Sequence, residues 1–168
     1  MANLPPSHYP DIGELGEDLV AQWLHSTGWS ILHRRFSSRW GEIDIIAQLH
    51  EKQFCGAKHL FVNQLPQIAF VEVKTRSQGN WDAGGKSAIT PQKQAKIGRT
   101  ARMFLAEYPE KADYPCRFDV AIVYCQRISK QRTDLTLTLE ALASLSADGY
   151  QFYLQEYLPG AFDSAIDD

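Results

Sequence analysis

Gly41-Glu-Ile-Asp-Ile-Ile-Ala47 and Phe70-Val-Glu-Val-Lys-Thr-Arg76 are the two stretches whose reading decides the fold. Both are short, rich in β-branched residues and alternate in polarity, which is the pattern of half-buried strands. In the first, Glu42 and Asp44 share one face while Ile43, Ile45 and Ala47 take the other; in the second, Phe70, Glu72 and Lys74 lie opposite Val71 and Val73. Asp44, Glu72 and Lys74 therefore belong to strands rather than loops. Charges buried in a sheet are costly unless they pair or hold a metal, so these three need a reason for being there.

Around this pair of strands the chain organises as alternating helices and strands. Residues 1–10 read as a Pro-containing, poorly ordered tail. From Ile12 to His25, Leu15, Leu19, Val20, Trp23 and Leu24 recur at helical spacing and Gly28 supplies a stop. Glu17 falls at the border of that apolar stripe, where its carboxylate can face the sheet, whereas Glu14 and Asp18 point away. Trp29 to Phe36 is a strand that turns through Ser37, Ser38 and Arg39 into Gly41 as a hairpin. Residues 49–67 read as a loop insertion, and Gln78 to Lys86, with Gly79, Gly84 and Gly85 around Trp81, as a mobile loop near a ligand.

The second helix is announced by its own residues. Thr90 is suited to N-capping and Pro91 to the first helical position, and Pro109 ends the run. Lys93, Ile97, Ala101, Phe104 and Leu105 share a stripe, so Lys93 starts the helix on its packed side, at an end that favours anions. Phe118 to Cys125 is a further strand, joined to the Phe70 strand through that helix and hence its parallel neighbour. Leu135 to Leu139 and Tyr150 to Leu158 read as peripheral strands, and the end of the chain, residues 160–168 included, as an acidic tail. The fold class is α/β, a mixed sheet flanked by helices, and the 168 residues suit a single domain.

Composition narrows the function classes. No apolar run approaches the roughly 20 residues of a membrane helix, and the first residues lack the basic-then-apolar build of a signal peptide, so a cytoplasmic protein with no membrane partner is expected. Cys55, Cys116 and Cys125 are odd in number and lack C-x-x-C spacing, which argues against a disulfide framework or a zinc site. The net charge is −3, yet Lys74 to Arg102 carries seven basic residues against the single acid Asp82, so this segment is +6 and the remainder −9. Such a run is either a solvated face or an electrostatic footprint for nucleic acid.

Carboxylates on adjacent strands suit a hard divalent cation such as Mg²⁺, which takes oxygen ligands and keeps waters for a substrate phosphate. Lys74, two residues beyond Glu72 on the same face, lies close enough to orient a water or neutralise charge on a phosphate. Together they make a phosphodiester-hydrolysing kit. A lone Glu-x-Lys also fits an ordinary surface strand; Asp44, flanked by Ile43, Ile45 and Ile46, is harder to explain by solvation.

The order of Glu17, Gly-Glu-Ile-Asp ending in Asp44, Phe-Val-Glu-Val-Lys with Glu72 and Lys74, Thr-Pro-Gln-Lys ending in Lys93, and Arg-Phe-Asp-Val at Arg117 to Val120 resembles the YraN-like family of uncharacterised bacterial proteins. That family is itself similar to the Holliday-junction-resolvase branch of the PD-(D/E)XK nucleases. The resemblance covers roughly Gly13 to Tyr124. It implies a restriction-endonuclease-like core, Mg²⁺ or Mn²⁺ as cofactor, and DNA, branched or otherwise structured, as partner. Carried over residue by residue, it implies Asp44 and Glu72 as metal ligands, Lys74 as the catalytic lysine, Glu17 as an additional helix carboxylate, and Gln92 or Lys93 at the phosphate. Binding would run through the basic segment, Arg76 included, and through Arg34, Arg35 and Arg39 of the hairpin.

Two departures stand out: Asp44 and Glu72 are separated by 27 intervening residues, and the stretch from Arg127 to Gly149 is long. Lengthening a hairpin loop costs only about 0.6 kcal/mol per doubling, so the paired strands can survive it. The substrate surface and any homodimer contact are what it alters. A nuclease-like fold is also compatible with a non-catalytic nucleic-acid-binding module, or with acids held by local salt bridges alone. The intact set of Asp44, Glu72 and Lys74 favours the enzyme.

Overall fold

A computed structural model describes residues 11–50, 65–77, 89–128 and 140–163. The elements run α1 (Ile12–Ser26), β1 (Trp29–Ser38), β2 (Gly41–Leu49), β3 (Gln67–Ser77), α2 (Pro91–Glu107), a single 3₁₀ turn (Pro109–Lys111), β4 (Cys116–Arg127), β5 (Ala143–Ala147) and β6 (Tyr150–Phe162). The six strands form one sheet in the order β1-β2-β3-β4-β6-β5. Only β3 and β4 pair in parallel, through α2 as the crossover; every other pair is antiparallel. This is the mixed α/β architecture expected from the sequence.

α1 and α2 cover opposite faces of the sheet. Leu19, Val20 and Leu24 of α1 bury against Ile45, Ala47, Val71, Val123, Phe152 and Leu154. On the other face Ile97, Ala101 and Phe104 of α2 bury against Phe36, Ile43, Ile46, Phe70 and Phe118. Phe104 meets the edges of Phe36 and Phe70 at centroid distances of 5.4 and 6.0 Å, and a fully buried ring of this kind contributes about 1.5–3 kcal/mol. α1 begins at Asp11, whose carboxylate accepts from the Glu14 amide; α2 begins at Thr90, whose hydroxyl accepts from the Lys93 amide, with Pro91 in the first turn. No helix of the described residues is long and apolar enough to cross a membrane.

Several details differ from the sequence reading. Ile43 does not share a face with Ile45 and Ala47: it packs on the α2 side and they pack on the α1 side. Strict alternation fails around Asp44 because the β1–β2 hairpin is distorted there, with Arg35 in the left-handed region at φ 51° and Arg34 and Phe36 paired with Ile45 and Ile43 on either side. Tyr150–Phe162 is not peripheral. It lies between β4 and β5 and runs through the presumed start of the tail, because Gly160 donates its amide to the fully buried Asp119 at 2.9 Å and Phe162 stacks on Phe118. Asp119 also accepts from Tyr157 Oη at 2.6 Å and Arg117 Nε at 3.0 Å, so the Arg-Phe-Asp-Val motif serves to fasten β6 to β4.

The edge strand β5 was not anticipated, and Leu49 and Gln67 belong to β2 and β3 rather than to the insertion. The tail at 1–10, the bulk of the insertion, the glycine-rich loop, the Leu135–Leu139 strand and the last residues lie outside the described residues.

Candidate active site

The last pair in the β2–β3 ladder is Ile45 with Val71, and Asp44 and Glu72 stand one residue beyond it. Past that point the Val73 amide has lost its strand partner on this side and donates instead to Asp44 Oδ2 at 2.7 Å. This contact ties the carboxylate of one strand to the backbone of the other, and it places Asp44 and Glu72 at a common opening between strands.

The electrostatics of the pair are unfavourable as they stand. Burial, and then the charge of Glu72, push the Asp44 carboxyl from its ordinary 3.8 up to about 7, against the pull of the Val73 amide. Burial likewise raises Glu72, opposed by Lys93 and then Lys74. Lys93 Nζ, from the first turn of α2, lies 3.1 Å from Glu72 Oε1. The other oxygen, Oε2, is buried and has no hydrogen-bond partner among the described residues. A buried oxygen left without a donor costs on the order of 1–3 kcal/mol, more when it carries charge.

Glu17 reaches the same region from the other face. α1 can come close to β3 because Gly16 sits over Thr75: a Cβ at Gly16 would overlap Thr75 Oγ1. Glu17 is 8% exposed, and its charge adds to the negative potential at both Asp44 and Glu72. Its oxygens are gripped by Arg35, Nε at 2.9 Å and Nη2 at 3.2 Å, with Arg34 Nη2 at 3.5 Å. Arg34 also bonds Asp18 at 3.0 Å, so Asp18 does not point away as its helical position suggested.

The proposed nucleic-acid residues divide into two groups. Lys93 joins the acids, and Lys74 lies near enough to act on Glu72. Arg34 is engaged by α1. Arg39 is exposed at the hairpin tip, Gln92 is exposed in the first turn of α2, and Arg76 is half-buried near the end of β3. Trp40 was missed by the sequence reading: its ring carries the guanidinium of Arg39 at 4.8 Å and that of Arg99 at 4.7 Å. Its place beside Arg39 at a hairpin tip was the available signal.

Among the described residues no three acid, His or Cys side chains form a ready-made cation cage. Two half-buried carboxylates, Asp44 raised in proton affinity by burial and by Glu72, and Glu72 with a buried oxygen unpartnered among the described residues, nonetheless fit a hard dication that keeps further positions for water or phosphate oxygens. The fold and site together define a class: a nuclease-like α/β domain with an Asp/Glu–Lys cluster where the pairing of β2 with β3 ends.

The chain belongs to the uncharacterised protein family UPF0102, the YraN-like group, whose model matches residues 16–123. It is 61% identical to a UPF0102 protein of Trichormus variabilis over 94% of this chain and 97% of that one. It is 58% identical to one of Nostoc over 93% and 96%, and 40% identical to one of Synechocystis over 90% and 97%.

Proposed function

We propose that this protein is a Mg²⁺- or Mn²⁺-dependent endonuclease that hydrolyses phosphodiester bonds of DNA, with branched or structured DNA as its substrate class. The observation that carries the reading is the buried, unpartnered Oε2 of Glu72 beside the Asp44 carboxyl, a pair whose cost of burial is relieved by a bound dication. Asp44 and Glu72 would hold the ion. When bound, it supplies Lewis-acid polarisation of a phosphate oxygen and a more acidic water.

The remaining chemistry belongs to the chain itself. Lys74, on the same strand face as Glu72, presents its ammonium to the phosphoryl oxygens, where charge builds as the P–O bond breaks. Lys93 holds Glu72 Oε1 in the free protein and exchanges that carboxylate for a substrate phosphate. Glu17, locked by Arg35, keeps the negative potential that draws a cation to Asp44 and Glu72. The start of α2 adds the positive end of its helix dipole, favourable to the same phosphate.

A non-catalytic DNA-binding module is the second reading, and the Lys93–Glu72 ion pair favours it by satisfying one acid without a metal. Cleavage of linear, forked and four-way DNA with Mg²⁺ or Mn²⁺ decides between them. The nuclease reading expects metal-dependent cleavage lost in Asp44→Asn and Glu72→Gln with DNA affinity retained. Binding to DNA without cleavage under either metal would overturn it in favour of the module.

A further inference from the structure

At the tip of the β1–β2 hairpin, Arg39 and Trp40 turn back over α2. The tip is pinned there: Ser38 Oγ lies 2.9 Å from Thr100 Oγ1, and a Cβ at Gly41 would sit 4.0 Å from Lys96 Cβ. The half-exposed Trp40 ring carries two guanidinia, Arg39 at 4.8 Å and Arg99 at 4.7 Å. None of the ion pairs found among the described residues engages Arg39, Lys96 or Arg99. Glu42, on the same hairpin, is turned to Ser37 Oγ at 2.8 Å.

An aromatic ring layered with guanidinia that lie outside the ion pairs found among the described residues has a specific chemistry. The ring offers a stacking surface that any nucleobase can meet, and the guanidinia meet both the base plane and the flanking phosphates. A base inside an intact duplex does not present its face; an unpaired one does. On α2, Arg99 is six residues from Lys93, about 9 Å along the axis, or two to three nucleotide steps at roughly 3.4 Å each.

We propose that Trp40, with Arg39 and Arg99, is a stacking platform for an unpaired base two to three nucleotides from the phosphate at Lys93, and that this platform is what selects junctions and frayed ends over continuous duplex. The inference rests on the nuclease reading for the position of that phosphate, but its test does not require catalysis.

The test is fluorescence anisotropy in EDTA with three probes: a blunt duplex, the same duplex with a three-nucleotide single-stranded overhang, and that overhang made abasic. The wild-type protein is expected to bind the base-bearing overhang about 5- to 160-fold more tightly than the other two, the range given by stacking of one base. Trp40→Ala is expected to bring all three to the blunt-duplex affinity, Trp40→Phe to keep the preference, and Lys93→Ala to weaken all three alike. An intact overhang preference in Trp40→Ala, or an abasic overhang bound as well as the base-bearing one, overturns the platform. Should Trp40→Ala fail to fold by circular dichroism, the wild-type and Trp40→Phe arms decide by themselves. Equal wild-type binding to all three probes defeats the platform alone, whereas no binding to any of them defeats the nuclease reading.

Discussion

Replacing Asp44 by Asn removes a charge that the fold keeps at its own expense, so the metal-free variant is expected to be more stable than the wild type at alkaline pH. The carboxyl is raised from 3.8 to about 7. At 1.36 kcal/mol per tenfold change in proton affinity, this is an upper limit of about 4 kcal/mol. The sign follows from the raised value: between pH 4 and 7 the folded state binds more protons than the unfolded, so the stabilisation from a protonated Asp44 is complete below about 4 and is lost as pH rises through about 7. The amide of Asn can still accept from Val73 N–H, the 2.7 Å bond that positions the side chain.

The predicted gain for Asp44→Asn is therefore about 1–4 kcal/mol at pH 8.5 and falls to about a quarter of that at pH 4.5. It is read from urea unfolding in EDTA, with the wild type and the variant compared at each pH so that the titration of Glu72 largely cancels. A variant that is no more stable at pH 8.5, or a gap that does not change with pH, would refute the electrostatic account of the site.

Other perturbations separate binding from architecture. Mn²⁺ at about 100 times its dissociation constant should stabilise the wild type by about 2.7 kcal/mol, and the increment should vanish in Asp44→Asn and Glu72→Gln; differential scanning fluorimetry reads both, and an unchanged increment in both variants would sink the ligand assignment. Glu17→Gln should lower turnover about tenfold, a barrier change of about 1.4 kcal/mol, and should also cost about 1–3 kcal/mol of stability because Arg35 and Arg34 lose their anion, whereas exposed Glu14→Gln should stay within about 0.5 kcal/mol of the wild type and leave turnover alone. Gly16→Ala should destabilise by about 1–3 kcal/mol, since the new methyl overlaps Thr75; partial recovery in the Gly16→Ala, Thr75→Ala double variant by thermal melt checks that the clash is the cause.

Elements were legible in this chain wherever they were local. The Thr90–Pro91 start of α2 and the stripe of Leu19, Val20 and Leu24 on α1 are written in neighbouring residues, because capping and helical period act over a turn or two. The alternation of Phe70 to Lys74 likewise places Glu72 and Lys74 on one face, and the intervening helix makes β4 the parallel partner of β3. The edge strand β5, Ala-Ser-Leu-Ser-Ala, carries too little apolar signal to be read before its partner is known. Gly160 looked like tail because nothing nearby shows that its amide will meet a buried carboxylate on β4.

The sequence by itself determined the α/β order, both helix starts and the strand placement of Asp44, Glu72 and Lys74. Only the tertiary structure decided that the β2–β3 ladder ends one residue short of the acids, that Ile43 and Ile45 part to opposite faces, that Lys93 meets Glu72, that Arg35 grips Glu17, and that Trp40 lies beneath Arg39 and Arg99. Periodicity reports which way a side chain leaves its own backbone. Which charge it meets there depends on bulges, splay and helix approach, and these are settled by contacts between residues far apart in the chain.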